Sequence, residues 1–234
     1  MVEIVGDDCL GSWQSGAELL TRTKKEMLNL VTTIQNQTVL DPLWLTRFNP
    51  AAYPPGKDQI KDVINTIIPI RWAFTLDRKA LYKKYLHVHD RAKNFRRNNG
   101  AWGTYFERLI RFGRPNGPNQ LEIVVEKLTK WERRVQTALV LHLSAPSLDS
   151  PRTRGGPCWH FGEFIWHSDD KLDLVVVYRN HDFYNKALGN YVALGQLLRF
   201  VCEQSKRRPG KLICHSVHAY FDSSINSLKT FASI

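Results

Sequence analysis

The chain has 234 residues and a mass of 27.1 kDa, a length that favours one large domain with one well-filled core. Its hydrophobic fraction of 43% and charged fraction of 24% are ordinary for a globular protein, which excludes a collagen, a coiled coil and a wholly disordered chain. The formal charge of +11 favours polyanions, nucleotides or acidic lipid as partners without choosing among them.

The first part of the chain predicts a strand, a loop and a helix. Residues 27–34 alternate β-branched and other side chains, which predicts a strand. The breaker-rich residues 49–56 predict a loop. Residues 57–68 carry apolar side chains at helical spacing, and Pro69 should end that helix.

The middle of the chain begins with a basic stretch, residues 81–97, in which aromatic residues and histidines are interleaved. Turns are predicted at 98–100 and 114–119. Residues 120–133 have one apolar helical face, and residues 135–143 predict a strand.

The last part shows the most regular pattern. After a predicted loop at 146–157, strands at 159–166 and 172–178 form a hairpin around a turn. Residues 191–203 are the strongest helix prediction, and residues 208–210 separate that helix from a short strand at 211–220.

The four cysteines, Cys9, Cys158, Cys202 and Cys214, have neither CxxC nor zinc-ligand spacing. We therefore expect no disulfide framework and no metal site. The first ten residues lack a basic region, and the apolar runs are far shorter than a membrane span. We expect a cytoplasmic protein without a signal peptide or membrane anchor.

Cys158 is the candidate nucleophile, because it lies between a glycine-containing loop and a predicted strand, where a side chain can face a cleft. Nearby guanidinium or imidazole groups would lower the pKa of its thiol. The candidates for that effect are Arg152, Arg154, His160 and Arg179. The alternative, a buried inert thiol, is preferred for Cys202 and Cys214.

A second group of polar residues follows the predicted strand at 172–178. Arg179 could hold a phosphate through two hydrogen bonds, and Asn180 could add a neutral donor. The alternative is a solvated strand end with ordinary salt bridges. Further along, His218 and Tyr220 alternate on one strand face, so both can point into one cleft and bind a sugar hydroxyl.

These elements, in this order, resemble the thymidylate synthase superfamily, which includes folate-dependent pyrimidine nucleotide hydroxymethylases. The family pattern is Pro-Cys-His, a strand ending in Gln-Arg-Ser-x-Asp, an Asn that opens a long helix, and His-x-Tyr. The matching segments here are Pro157-Cys158, residues 172–182, Leu188-Gly189-Asn190 and His218-Ala219-Tyr220. Each match alone is weak, and their common order carries the resemblance.

The resemblance implies roles for three catalytic residues. Cys158 would be the nucleophile that adds to C6 of a pyrimidine. Asp182 would help to position the folate pterin, and Asn190 would read the O4 and N3 edge of the base. An amide at this position favours uracil over cytosine, although an amide can flip.

The resemblance also implies a substrate-binding set. Arg179 becomes a phosphate ligand that keeps the Cys158 thiolate poised, and Asn180 replaces the usual phosphate-binding Ser. His218 and Tyr220 would hold the sugar 3′-hydroxyl.

The match is less clear in the first half of the chain. Arg22 lies where the family has a mobile phosphate-binding arginine, and Trp102 lies where it has a Tyr before Gly. Arg133 and Arg134 resemble the twin arginines that reach the partner's phosphate across a dimer. The resemblance therefore implies a homodimer whose site is built by two chains.

The sequence departs from the family pattern on the folate and proton-relay side. No acid/base Glu can be placed within residues 64–74, and Trp159 stands where the family has His. Ser216-Val217 replaces Gly-Asp, and the chain ends soon after Tyr220. These departures indicate a specialised relative.

We predict an α/β (α+β) fold across residues 1–234, with a mixed twisted sheet, a long buried helix and a sheet face available for dimer contact. The predicted activity is C5 modification of a pyrimidine nucleoside monophosphate by one-carbon transfer from 5,10-methylenetetrahydrofolate, in a homodimer without membrane or nucleic-acid partners. One alternative is a folate-independent pyrimidine nucleotide-modifying enzyme. Another is an inactive nucleotide- or nucleic-acid-binding module, whose best feature is the basic aromatic stretch at 82–97.

Overall fold

The computed structural model describes residues 1–38, 60–95, 102–113, 115–131, 133–134, 137–151 and 155–222. Helices and strands alternate irregularly along these segments. In chain order they are β1 (Val2–Gly6), α1 (Cys9–Arg22), β2 (Glu26–Ile34), α2 (Ile60–Ile67), α3 (Ile70–Ala73), α4 (Arg78–Phe95), α5 (Tyr105–Ile110), α6 (Gln120–Lys130), β3 (Val140–His142), α7 (Pro146–Asp149), β4 (Trp159–Trp166), β5 (Lys171–Tyr178), β6 (His181–Asp182), α8 (Ala187–Ser205) and β7 (Arg208–Tyr220).

The strands of the described residues form one mixed sheet in the order β1-β2-β7-β5-β4-β3, with β6 also paired to β7. β1 is parallel to β2, and β7 is parallel to both β5 and β6, whereas the other neighbours are antiparallel. β6 continues along the edge of β7 that β5 occupies, and Asp182 lies opposite Tyr220. This register brings the polar segment after β5 beside the end of β7.

Helix α8 is the central helix, because nearly all of its residues are buried. It packs on the sheet, where the Tyr191 hydroxyl donates to Thr32 Oγ1 on β2 (3.1 Å). It also crosses α2 closely: a Cβ on Gly189 would lie 2.8 Å from Cβ of Val63, so only glycine permits this approach. The crossing places one side of α2 against the first turn of α8.

The opposite face of the sheet is less covered. Cross-strand pairs place Val31, His215, Val177 and Phe161 in one row across four strands, and none of these side chains is fully buried. Val217 on β7 is 38% exposed. The row is therefore a largely apolar surface on the side of the sheet away from α8.

The sequence predicted the second half of the chain well. The strand at 159–166 coincides with β4, the hairpin with β5 is present, and α8 contains the predicted helix. The α/β class and the mixed sheet with a long buried helix are confirmed.

Other element predictions need correction. The strand at 135–143 shortens to β3, α7 forms within the predicted loop at 146–157, and β7 begins at Arg208, inside the predicted separator. Helix α6 ends at Lys130, three residues before the predicted end. The sequence reasoning missed β1 and α1, and the loop at 49–56 and the turn at 98–100 lie outside the described residues.

All four cysteines are free thiols, and only Cys158 is not fully buried. In the part of the chain that the structure describes, no helix is long and apolar enough to cross a membrane. No cluster of three or more His, Cys, Asp or Glu side chains in that part is arranged to hold a metal ion.

Candidate active site

A cavity of about 310 Å³ lies where the start of β4, the end of β7 and the first turn of α8 meet α2. This volume is at the lower end of the range for small-molecule sites. The structure brings six of the sequence-predicted site residues to its lining. They are Trp102, Cys158, Asn180, Asp182, Asn190 and Tyr220.

The backbone around Cys158 is held by hydrogen bonds from two sides. The Tyr105 hydroxyl accepts from the backbone N–H of Cys158 (3.0 Å) and of Trp159 (3.1 Å). Arg179 Nε donates to the Pro157 carbonyl (3.1 Å), and the Arg179 N–H donates to the Cys158 carbonyl (2.9 Å). The thiol therefore projects from a fixed junction between loop and strand.

The charge state of Cys158 reflects opposing effects. Burial raises the pKa of its thiol, the nearby Arg179 guanidinium lowers that pKa by a smaller amount, and the Asp182 carboxylate raises it. The net shift is upward, so the thiol form predominates at neutral pH in the absence of ligand. The expectation that Arg179 keeps a thiolate poised is right in direction, but burial outweighs the effect.

The other groups expected to lower that pKa contribute little here. Burial, followed by the charge of Arg179, lowers the pKa of His160, so this imidazole is neutral at neutral pH and supplies no cation. Arg152 and Arg154 lie outside the described residues. Removal of the Cys158 proton therefore requires a base, or a ligand that changes the surroundings of the thiol.

Asp182 organises the turn that leads into α8. Its carboxylate accepts from the backbone N–H of Tyr184 (2.9 Å) and Asn185 (3.1 Å), and from Asn185 Nδ2 (2.6 Å). Both oxygens are therefore engaged within the chain, although Asp182 still lines the cavity. This arrangement leaves Asp182 less free to bind a ligand than the sequence implied.

Asn180, His218 and Tyr220 form a cluster at the end of β7. The His218 Nδ1 donates to Asn180 Oδ1 over 2.7 Å, because an amide oxygen can only accept. The rings of His218 and Tyr220 stack with centroids 5.4 Å apart, as expected for alternate residues on one strand face. Burial raises the pKa of Tyr220 to about 12, so its hydroxyl stays protonated at neutral pH.

Asn190 lies in the first part of α8, where it is buried and reaches the cavity. Its amide nitrogen Nδ2 lies 3.2 Å from His181 Nε2. The other ring nitrogen, His181 Nδ1, lies 2.8 Å from Ser216 Oγ. Asn190 is therefore supported from behind by a buried polar pair.

A second cavity, of about 720 Å³, adjoins the first and shares Asp62 and Thr66 with it. The half-exposed indole of Trp72 and the buried ring of Tyr85 line it. His89, also in this lining, pairs with Glu107 through Nε2 and Oε2 (2.9 Å). The two cavities therefore adjoin at the face of α2 that carries Asp62 and Thr66.

Several lining residues were missed by the sequence reasoning. Asp62 and Thr66 lie four residues apart on α2, between its buried apolar positions, so they form one polar stripe. Lys186 lies four residues from both Asp182 and Asn190, and burial lowers the pKa of its ammonium group. The spacing of four residues between these polar side chains was the sequence signal that could have identified them.

None of the four predicted phosphate-binding arginines, Arg179 included, lines either described cavity. Arg22 ends α1, Arg133 and Arg134 follow α6, and all three side chains are exposed. Of the four predicted arginines, only Arg179 is shown close to Cys158 within one chain.

No family model matches the chain. Three curated archaeal proteins named "Putative thymidylate synthase" are similar to it. The protein of Methanococcoides burtonii is 28% identical over 161 residues, which cover 69% of each chain. Those of Methanosarcina mazei and Methanosarcina barkeri are 28% and 26% identical over 65% and 69% of each chain. The chain is therefore distantly similar to thymidylate synthase-like proteins, without a match to a particular member.

Proposed function

We propose that this protein modifies C5 of a pyrimidine nucleoside monophosphate through a covalent adduct between Cys158 and C6 of the base. The transferred group is a one-carbon unit from 5,10-methylenetetrahydrofolate, and the product carries a methyl or hydroxymethyl group. The observation that carries the proposal is the cavity that gathers Cys158, Asn180, Asn190 and Tyr220. The archaeal relatives support the same class of one-carbon transferase.

The chemistry explains why a thiol and an amide are needed together. C5 of a pyrimidine is a poor nucleophile until a thiolate adds to C6 and moves electrons onto C5 and O4. Asn190 then stabilises the charge that develops along the O4 and N3 edge. After C5 bonds to the one-carbon unit, the C5 proton would be lost and the bond from that carbon to the nitrogen of its carrier would break. Addition of hydride from the carrier would then give a methyl group, or addition of water a hydroxymethyl group, as the Cys158 sulfur leaves and the 5,6 double bond is restored.

Proton transfer requires a base, and Asp62 is our candidate for it. Asp62 is the carboxylate that lines both described cavities, on the helix just before the segment where the family's Glu is expected. Its exposed side chain can exchange protons with solvent. We propose that Asp62, with Thr66 beside it, organises the water that removes the Cys158 and C5 protons.

The larger cavity fits a flat one-carbon carrier next to the nucleotide. Trp72 and Tyr85 would hold such a molecule by ring contacts, and Asp62 would face it from the shared wall. When bound, methylenetetrahydrofolate would supply the electrophilic carbon. The residues of this chain would orient it and exclude bulk water from C5.

The phosphate pocket is proposed to form in a homodimer. Arg133 and Arg134 are exposed and would reach the phosphate bound by a second copy, whereas the exposed Arg22 would bind the phosphate as a mobile arginine. The partly exposed row through Val31, Val177 and Phe161 supplies an apolar surface for that contact. Sedimentation across a concentration series tests the dimer, and a monomer at every concentration would contradict it.

The activity is tested by following C5 tritium release from UMP, dUMP, CMP and dCMP, with and without methylenetetrahydrofolate. Product mass distinguishes a methyl from a hydroxymethyl group. We expect release that depends on folate and on Cys158. Cys202→Ala is the matched control, because Cys202 is a buried thiol of α8 outside both described cavities. Wild-type levels of release from Cys158→Ala would overturn the proposal.

A folate-independent reaction at the same adduct is the second candidate. The engaged carboxylate of Asp182 favours it, because three internal hydrogen bonds leave little capacity to position a pterin. C5 exchange or product formation without folate would identify this activity. The nucleic-acid-binding alternative loses support, because α4 buries Tyr82 in the core and places Tyr85 in the wall of the larger cavity, so neither ring lies on the open surface.

A further inference from the structure

His181 is a buried imidazole that forms part of the cavity wall beside Asn190. It is 1% exposed, and its ring stacks on Tyr178 with centroids 4.3 Å apart and planes 8° apart. Phe183 and Tyr191 contact its edges, each with a centroid distance of 5.5 Å. This packing on three sides holds the imidazole in one orientation.

The hydrogen bonds of His181 define its tautomer. The amide nitrogen of Asn190 can only donate, so His181 Nε2 must accept from it. Nδ1 then carries the ring hydrogen and donates to Ser216 Oγ. Ser216 also hydrogen-bonds Cys214. The Ser216 oxygen can therefore accept from His181 while its hydroxyl hydrogen is directed to Cys214.

The neutral state of the ring follows from its surroundings. Burial lowers the pKa of His181 to about 3, so Nε2 keeps its lone pair at neutral pH. A protonated ring would instead turn a donor towards the donor of Asn190. The hydrogen bonds from Asn190 to His181 and from His181 to Ser216 can therefore form together only when the imidazole is uncharged.

We propose that His181 is the positioning residue that determines which pyrimidine edge Asn190 reads. Because His181 holds Nδ2, the carboxamide cannot flip, and its oxygen and remaining amide hydrogen keep fixed places. Uracil presents a donor at N3 and an acceptor at O4, whereas cytosine presents an acceptor at N3 and a donor at N4. The two bases need opposite carboxamide orientations. An Asn190 carboxamide held in one orientation therefore binds one base and disfavours the other.

This inference rests on the proposed function, because it assumes a pyrimidine nucleotide in the cavity. It assigns base selectivity to His181, whose two ring nitrogens pair with Ser216 and Asn190 and which acts on the base through Asn190. Discrimination by a bidentate pair corresponds to about tenfold or more between the right and wrong base. Loss of the hydrogen bond between His181 and Asn190 should remove this preference for one base, while the cavity remains.

The test compares the affinities of dUMP and dCMP, and of UMP and CMP, by calorimetry, together with the kcat/KM ratio for each pair. His181→Phe keeps a ring between Tyr178 and Tyr191 but has no acceptor, whereas His181→Gln can return an acceptor oxygen to the place of Nε2. We expect wild type and His181→Gln to prefer one base by about tenfold or more, and His181→Phe to fall within about threefold of equality. An unchanged preference in His181→Phe, or no preference in wild type, would overturn the inference.

The proposed function and the inference fail in different ways. Binding selectivity without turnover would leave the inference intact and refute the activity, whereas no binding of any pyrimidine nucleotide would refute both. Should His181→Phe not fold, nitrogen NMR of wild-type His181 tests the same claim. Hydrogen on Nδ1 alone supports the inference, and hydrogen on Nε2 contradicts it.

Discussion

The two sides of the candidate site, which we propose hold the nucleotide and the one-carbon donor, are built differently. On the nucleotide side, Tyr105 of α5 holds the backbone of Cys158, and the sheet residues His218 and His181 hold the side chains of Asn180 and Asn190. On the donor side, Trp72 is half-exposed and Asp62 is exposed on α2. A site of this kind would hold the nucleotide in one orientation and would tolerate variation in the donor that reacts with it.

This difference matches the pattern of departures from the thymidylate synthase family. The residues that would hold the nucleotide retain their order along β4, β5, β7 and α8, whereas the acid/base Glu is absent from its expected place. Selection for a particular donor or product can act on α2 and the larger cavity without disturbing the strands.

The largest effect should come from removing the nucleophile. Cys158→Ala should lower turnover by a factor of about 10³ or more, because no other group forms the C6 adduct. Nucleotide affinity, measured by calorimetry, should change by less than about threefold, because the surrounding hydrogen bonds involve the backbone of Cys158. A large loss of affinity would instead assign Cys158 a structural role.

The next effect concerns Asp62 on the donor side. Asp62→Asn should lower kcat by about 10²-fold and leave the KM for the nucleotide nearly unchanged, because general-base catalysis contributes factors of that size. Steady-state kinetics with C5 tritium release as a second readout measures both. Lys61→Ala is the control, because Lys61 is exposed on the same helix and outside both described cavities. Equal losses in the two variants would remove Asp62 from the mechanism.

Trp72 should affect the donor alone. Trp72→Ala should raise the KM for the one-carbon donor by about tenfold, because a buried ring contact of this kind stabilises a complex by about 1 kcal/mol or more. The KM for the nucleotide should stay constant. Trp131→Ala removes an indole outside both described cavities and should change neither KM. A nucleotide-specific effect of Trp72→Ala would contradict the division of the site.

The smallest effect is a shift in thiol reactivity. Because burial raises and Arg179 lowers the pKa of Cys158, Arg179→Ala should move that pKa further upward. The rate of alkylation by iodoacetamide should therefore rise at a higher pH in Arg179→Ala than in wild type, and Arg179→Lys should lie between them. Mass spectrometry locates the label. A downward shift would show that Arg179 does not stabilise the thiolate.

The strands of the site could be predicted from sequence because their signals are local. Alternation and turn residues define β4 and β5, and the order of Cys158, Asn190 and Tyr220 along the chain is visible without a structure. Helix α1 was missed for a local reason as well, since Gly11, Ser12 and Gly16 lower its helix propensity. The small residues are used in packing: a Cβ on Gly16 would lie 2.5 Å from the ring of Phe183.

The functional role of α2 could not be predicted, because it depends on tertiary contact. In the sequence, Asp62 and Thr66 form an ordinary polar helix face. They line the cavity because Gly189 allows α8 to cross α2 beside Val63. The partnership of His181 with Asn190 is likewise invisible in sequence, since it requires β6 to run beside β7 and under the first turns of α8. The charge state of Cys158 also depended on burial, which opposed the predicted effect of Arg179.

The most direct measurement of the central claim is the mass of the protein after incubation with 5-fluoro-dUMP or 5-fluoro-UMP, with and without the one-carbon donor. Fluorine at C5 cannot leave as a proton does, so once C5 has bonded to the one-carbon donor, the C6 adduct should be trapped on the enzyme with the donor attached. We expect a mass gain of one nucleotide plus one donor that requires the donor, that peptide mapping places on Cys158 and that Cys158→Ala abolishes. A nucleotide that binds tightly to wild type without any covalent gain, or a label on another residue, would contradict it.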